Sequence, residues 1–548
     1  MAGTWPRGYV LLSVLFSMLS GCAGRSNPQA DARLKLKDLH LEHTQIVAAD
    51  YYSAGHDISW KTMLFGVPRF KVPASCRVKL VLTPSADSHI ESEVWMPTMA
   101  WNGRLWSVGN GGLAGSIDEI SMHLALSRGY ATSGTDTGHS ARDQEGGWAL
   151  NHPDKLVDFG WRAIHETALT AKALIRGLQG KPPAFSYFAS ASNGGREALN
   201  EAQRFPEDYD GIEAGAPAFD GSNNVVSGSW MEQKLLNTEG SWIPKSKLKA
   251  IQAASLAACD ELDGLKDGLI DDPRRCHLKP EALVCKGPET ENCLMPEQVA
   301  SLKALYDGPG GEDPAHFRYY GFEHGGEVGW GEWSLSSGPR KSVLYQFALE
   351  FHRNIIDSDP AWTLEQFEFS HDNIDADLRM GSVYDARDPD LSRFAARGGK
   401  LILYHGWSDQ ALQPRLTIDY YQRVQSAAGE AAAANFVVLY MVPGMWHVFA
   451  GDGPNAFGQA MAPAPSASKA NNIGSVLIAW VEQGEPPGPV VAGKYDNDFK
   501  AVLVPDDMIP TRTRPLCLYP QVARWLGKGS IDDAKNFSCS PPPADTGV

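Results

Sequence analysis

The chain has 548 residues, 43% of them hydrophobic and 21% charged, with 54 glycines and 36 prolines. That length buries a large core and accommodates one big domain with a substantial insertion, and the composition is that of a turn-rich globular protein. The formal net charge of -16, without a stripe of clustered Lys and Arg, excludes a nucleic-acid partner, because phosphate binding needs concentrated basic residues.

In chain order, the first 22 residues read as an export signal: Arg7 gives a positive start, and residues 9–19 form an apolar run. The run is too short for a bilayer span, which needs about 20 residues. It ends in Leu19-Ser20-Gly21-Cys22, a lipobox-like pattern that would make Cys22 a lipidated N-terminus. Residues 23–30 then serve as a polar tether, and the lipid would be the only membrane contact. An ordinary cleaved signal with a chance cysteine is the alternative, so the expected location is the bacterial cell envelope or the medium. Export implies an oxidising compartment. Six of the other seven cysteines fall into local pairs, Cys259–Cys276, Cys285–Cys293 and Cys517–Cys539, without the repeated spacing of a zinc site. They are expected to be disulfides, and Cys76 has no obvious partner.

Strand-like runs occupy 77–82, 92–97 and 104–108, the last leading into Gly109-Asn110-Gly111-Gly112. Residues 161–178 have helical periodicity, with Ile164, Ala168, Ala171, Ile175 and Leu178 near one face. A strand over 185–188 runs into Ser192-Asn193-Gly194-Gly195 and a helix from Arg196, and 211–217 reads as the next buried strand. From about 225 to 390 the texture changes to Trp- and Gly-rich sequence holding four cysteines. Buried-strand patterns resume at 400–405 and 435–442. Strands alternating with helices predict a mostly parallel sheet over 31–225 and 390–548 with an insert over 226–389, and the serine turn at 190–194 with the residue order Ser192, Asp409, His447 makes this an α/β-hydrolase core with an inserted lid.

A serine nucleophile needs a base in reach and a third group to orient that base. Ser190-Ala191-Ser192-Asn193-Gly194 departs from the usual G-x-S-x-G by its first residue, but it has the strand before it and the helix after it. Asp409 follows the strand at 400–405 and His447 follows the strand at 435–442, at the strand ends where open parallel sheets carry their sites. The order Ser192, Asp409, His447 is that of a hydrolase triad. Singly, each segment also reads as structure: a Ser/Gly turn, or a core histidine. Between 259 and 272, aspartates alternate with glycines in an oxygen-rich, turn-rich segment that suits Ca²⁺ or, alternatively, is a solvated acidic turn.

The run from Tyr187 to Pro217 resembles the tannase/feruloyl esterase family, which includes mono(2-hydroxyethyl) terephthalate hydrolase-like enzymes. So do Gly109-Asn110-Gly111-Gly112, Tyr404-His405-Gly406-Trp407-Ser408-Asp409, Val442-Pro443-Gly444-Met445-Trp446-His447 and Pro515-Leu516-Cys517-Leu518-Tyr519-Pro520, and the likeness covers about residues 30–540. The resemblance implies a carboxylic ester hydrolase with Ser192 as nucleophile, His447 as base and Asp409 as its orienting carboxylate. It implies an oxyanion hole from the backbone N–H groups of Asn193 and Gly112, and a small aromatic ester as substrate, with a feruloyl, galloyl or terephthaloyl acyl group. It also implies a structural Ca²⁺ held by Asp260, Asp263 and Asp267 and by the carbonyls of Leu265 and Leu269. Trp330, Trp333 and Trp362 lie in the lid and are candidates to line the pocket, with packing inside the lid as the leading alternative for each. The family's cysteine pair beside the serine and histidine is replaced here by Ala191 and Val448. A non-catalytic envelope protein that keeps the hydrolase fold for binding is the competing class.

Overall fold

The computed structural model describes residues 36, 39, 41–55, 72–460, 462–466, 468–503 and 508–542. The expected signal, Cys22 and the tether lie outside the described residues. Among those described, no helix is long and apolar enough to cross a membrane.

Nine strands form one sheet: β1 (Thr44–Tyr52), β2 (Ser75–Leu82), β3 (Ile90–Pro97), β4 (Arg104–Ser107), β5 (Ala131–Thr135), β6 (Phe185–Ala191), β7 (Gly211–Gly215), β8 (Lys400–Gly406) and β9 (Val437–Val442). Their spatial order is β1-β2-β3-β5-β4-β6-β7-β8-β9. The first four in that order pair antiparallel, and from β5 through β9 every neighbour is parallel. The core is thus an α/β-hydrolase sheet with an antiparallel flank.

The parallel strands β8 and β9 read as continuous apolar runs because both faces of the sheet are covered there. Phe188, Ile212, Ala214, Leu401, Leu403, Val437 and Leu439 belong to one buried cluster, and their strand neighbours Tyr187, Ile402, Tyr404, Val438 and Tyr440 to another. The alternation follows from the two-residue period of a strand. On the first face lie helix α2 (Ala163–Gln179), through Ile164 and Ala168, and α3 (Asn193–Arg204), through Ala198 and Leu199; helix α7 (Pro414–Ala428) adds Tyr420 and Val424. Helix α8 (Ile473–Gln483) covers the second face with Leu477 and Trp480, and α1 (Glu119–Ser127) packs on β5. Each fully buried aliphatic or aromatic side chain contributes roughly 1.5–3 kcal/mol. Helix α2 starts two residues later than its pattern suggests, because 158–162 form a π turn, and it stops at Gly180, whose φ of 73° is the left-handed conformation glycine accepts best.

The chain leaves the sheet after β7 and returns at β8. Helix α4 (Gly221–Leu236) runs unbroken through the expected boundary at 225/226, so sheet and insert are joined by a continuous helix. Helices α5 (Val343–Phe351) and α6 (Phe369–Met380) pack on α4. The insert has its own buried clusters, one holding Val226, Tyr345 and Trp362 and another Met231, Leu248 and Trp330. All three expected disulfides are present, Cys259–Cys276, Cys285–Cys293 and Cys517–Cys539. Cys76 is a free thiol in β2, where burial and then Asp50 push it up to about 11.

Candidate active site

Ser192 joins β6 to α3 with φ 62° and ψ -125°, a conformation that costs a non-glycine residue of order 1–3 kcal/mol. The turn is held from both sides: Ser192 N–H donates to Gly215 O at 2.9 Å, and Ser192 O accepts from Ala218 N–H at 3.0 Å. A Cβ on Gly194 would meet Ser190 Oγ at 2.0 Å, and one on Gly195 would meet Gly215 O at 2.6 Å. Ser190 therefore fits where the usual motif has glycine because Gly194 leaves room for its hydroxyl.

The three expected triad residues come together. His447 Nε2 lies 2.9 Å from Ser192 Oγ, and His447 Nδ1 lies 2.8 Å from Asp409 Oδ2. The His447 backbone N–H donates to Gln410 Oε1 at 3.0 Å, which fixes the loop after β9 against the loop after β8. Asp409 is fully enclosed. Its Oδ1 accepts from the Ala411 and Leu412 amides at 2.8 and 2.9 Å, and its Oδ2 accepts from His405 Nε2 at 3.0 Å as well as from His447. Burial alone would raise the Asp409 pKa, but the charge of His447 and the hydrogen bonds from His405 and His447 hold it well below the usual carboxylate range. His405 is itself anchored by Thr417 Oγ1 at 2.8 Å from Nδ1. Sequence reasoning placed His405 in its strand and gave it no role; its signal is the four-residue spacing to Asp409.

Asn193 opens α3, where the amide has no acceptor within the helix. Gly112 borders the same cleft with φ 56°, and a Cβ there would meet Asp143 O at 2.6 Å. The cleft at Ser192 and His447 encloses about 640 Å³, mouth included. The sheet loops supply Gly112, Asn193 and Leu412 to its wall; the insert supplies Trp333, Leu344, Phe347, Phe351 and Tyr384. Trp333 stacks on Phe347 at 5.5 Å and lies 5.6 Å from the His447 ring. Of the three candidate tryptophans only Trp333 reaches the cleft. Trp330 is packed between Tyr306 and Phe322, and Trp362 stacks on His352 at 4.0 Å.

The acidic loop is stapled by Cys259–Cys276 and turns at Gly264 and Gly268, both with left-handed φ. Asp260 accepts from the Asp267 and Gly268 amides at 3.1 and 3.0 Å, and Asp263 accepts from the Leu265 amide at 2.8 Å. One oxygen of Asp267 pairs with Arg514, while Asp267 Oδ1 and Asp271 Oδ2 are buried without a hydrogen-bond partner among the described residues. Burial, with Asp263 and then Asp267 beside it, pushes the Asp271 carboxyl up to about 8. Such buried, orphaned carboxylate oxygens are what a hard cation satisfies, so the donors fit Ca²⁺. Asp271 was not among the expected ligands; its spacing of four residues from Asp267 repeats that of Asp267 from Asp263.

The Asp409–His447–Ser192 hydrogen-bond line stands at the C-terminal ends of β8, β9 and β6 on a mostly parallel sheet, the arrangement of an α/β-hydrolase. The family model described as tannase and feruloyl esterase matches residues 76–540, and the chain belongs to that family. An uncharacterized esterase of Xanthomonas campestris pv. campestris is 39% identical over 86% of this chain and 85% of its own length. The mono(2-hydroxyethyl) terephthalate hydrolase of Piscinibacter sakaiensis is 32% identical over 81% of this chain and 80% of its own. The crystal structure of feruloyl esterase B from Aspergillus oryzae superposes with a TM-score of 0.83 at 27% identity, covering 94% of this chain and all of that one. The protein is a carboxylic ester hydrolase.

Proposed function

We propose that the protein cleaves esters of aromatic acids through an acyl-enzyme on Ser192. The observation that carries this reading is the unbroken hydrogen-bond line from Asp409 through His447 to Ser192 at the floor of an apolar cleft. Ser192 Oγ attacks the ester carbonyl while His447 Nε2 takes its proton, and Asp409 stabilises the imidazolium. The tetrahedral oxyanion is held by the Asn193 and Gly112 amides, each such donor typically worth about 2.7–4 kcal/mol in the transition state. His447 then gives the proton to the departing alcohol, and water repeats the sequence to release the acid. The aromatic wall of Trp333, Phe347, Phe351 and Tyr384 favours a flat acyl group. The names of the feruloyl esterase and terephthalate hydrolase relatives point the same way.

On a panel of ferulates, gallates, terephthalate monoesters and short p-nitrophenyl esters, at least one aromatic acyl ester is expected to exceed p-nitrophenyl acetate in kcat/KM by more than about tenfold. That margin corresponds to about 1.4 kcal/mol of extra transition-state binding. A preference for short aliphatic acyl groups would overturn the substrate class, and a fluorophosphonate probe that fails to label Ser192 would overturn the mechanism.

The reading includes a structural Ca²⁺ in the 260–271 loop, held by Asp260, Asp263, Asp267 and Asp271 with the carbonyls of Leu265 and Leu269. When bound, the ion neutralises the buried carboxylates and fixes the loop; it takes no part in ester cleavage. A ligand present at 100 times its Kd stabilises the fold by about 2.7 kcal/mol. Chelation should therefore lower Tm by about 2 °C in a chain of this length while kcat at ambient temperature stays near its starting value. An unchanged Tm in EDTA, with no calcium in elemental analysis, would remove the ion. Export to an oxidising compartment, which the three disulfides support, completes the reading, and the lipobox-like pattern alone suggests Cys22 as its lipid anchor.

A further inference from the structure

Glu197 lies one turn into α3, is 1% exposed, and does not line the cleft. Its two oxygens face two different segments, one through a backbone amide and one through a side-chain amide. Oε2 accepts from the Asn110 backbone N–H at 3.1 Å, in the glycine-rich segment that leads to Gly112. Oε1 accepts from Asn193 Nδ2 at 2.9 Å, on the residue after Ser192. The segments are closely fitted around this carboxylate: a Cβ on Gly109 would meet Glu197 Oε2 at 2.3 Å and Gly194 Cα at 3.0 Å.

The orientation of Asn193 is not free. Its Oδ1 accepts from Arg196 Nε at 2.8 Å and from Tyr384 O–H at 3.0 Å, so its Nδ2 must point at Glu197. Arg196 is fixed in turn, donating to Phe159 O at 2.9 Å and lying 4.0 Å over the Tyr384 ring. Residue 197 is thus faced by two N–H donors at once, one from each segment, and only a carboxylate accepts from both. Arg196, the nearest cation, is 3.9 Å away. The acid is retained despite a burial that, offset only in part by Arg196, Asn110 and Asn193, pushes the carboxyl up to about 7.

We propose that Glu197 is a positioning residue for ester hydrolysis, a double acceptor that locks the Gly109–Gly112 segment to the start of α3 and so sets the spacing of the two oxyanion-binding amides. The proposal rests on the reading of Asn193 and Gly112 as those donors. It makes the side chain of Asn193, and not only its backbone, part of the same device. Glutamine at 197 keeps one acceptor but turns its amide N–H toward a second N–H, so one arm must open.

The test is Glu197→Gln, alone and with Asn193→Asp. The double change reverses the polarity of the pair. The carboxylate introduced at position 193 accepts from the amide introduced at position 197, and it still accepts from Arg196 and Tyr384. The amide oxygen at position 197 still accepts from the Asn110 N–H, and the net charge is unchanged. Deleting an oxyanion donor outright typically lowers kcat by about 10²–10³-fold. Misplacing one by Glu197→Gln should lower kcat by about tenfold or more with KM within about twofold. It should weaken inhibition by an arylboronic acid, whose tetrahedral adduct uses the same amides, in proportion. The double variant should recover most of both losses. A Glu197→Gln enzyme with unchanged kcat per folded molecule overturns the proposal, even if Tm falls, and so does a double variant no better than the single. A wild-type enzyme insensitive to the arylboronic acid would overturn the proposal together with the oxyanion reading beneath it.

Discussion

Ser192→Ala is expected to abolish ester turnover and to leave the melting curve in place. The hydroxyl is the group His447 Nε2 contacts at 2.9 Å, and without it the relay from Asp409 ends on nothing that can form an acyl bond. Triad members act as a unit, so the loss of the nucleophile is expected to lower kcat by roughly 10⁶-fold, down to the residual 10³–10⁴-fold advantage over water that binding and oxyanion stabilisation supply. Stability is spared because the strained φ of 62° at this position weighs on alanine as it does on serine, and the turn is held by backbone bonds to Gly215 and Ala218 that the change does not touch. Active-site titration and steady-state rates on the best ester of the panel check this. Turnover by the purified variant within a hundredfold of the parent would sink the assignment of Ser192.

Asp409→Asn should be nearly as damaging, for a reason the geometry makes specific. The Ala411 and Leu412 amides both donate to Oδ1, so an asparagine must place its carbonyl there. Its NH₂ then faces His447 Nδ1 and His405 Nε2, which were donors to Oδ2. To accept from that NH₂, His447 must carry its proton on Nε2, where it can no longer accept from Ser192. A wrong tautomer of this kind costs about 10⁴ in kcat. The expected signature is a collapse of kcat with KM little changed, and a rate within tenfold of the parent would refute the role of Asp409. The wild-type carboxylate is held ionised: its stabilising contribution is present above the ordinary carboxyl pKa of about 3.9 and is lost only as pH falls toward its own, lower value. Loss of activity at mildly acidic pH therefore belongs to another group.

What could be read from the sequence follows physical lines. Strands buried on both faces announce themselves as apolar runs, which is why β8 and β9 were legible and why Asp409 and His447 could be placed at their ends. β5 was not, because its sequence Ala-Thr-Ser-Gly-Thr carries no large apolar residue. It is small because α1 and its approach lie close: a Cβ on Gly134 would meet Met122 Sδ at 3.0 Å and Ile117 Cγ2 at 3.2 Å. β1 was missed as an edge strand with one face half exposed. The insert hid its helices because α4 is buried on nearly every side and shows no polar stripe. In the site, residues that follow their own strand were legible, whereas Glu197 meets Asn110 across 87 positions of chain, an encounter only the closed sheet creates. Trp333 could not be told from Trp330 and Trp362 by composition, since all three serve aromatic clusters and only one of these opens on the cleft.

The segment between β7 and β8 is a crossover between neighbouring parallel strands, where the fold by itself needs only a dozen residues or so. Everything beyond that minimum is free of the sheet's register, yet it furnishes the aromatic wall of the cleft. Ser192, Asp409 and His447 sit on the part of the chain that must stay constant for the strands to pair. Trp333, Phe347 and Phe351 sit on the excursion, whose length the pairing of β7 with β8 does not set. A change in this one excursion can therefore reshape the wall of the cleft without re-pairing a strand.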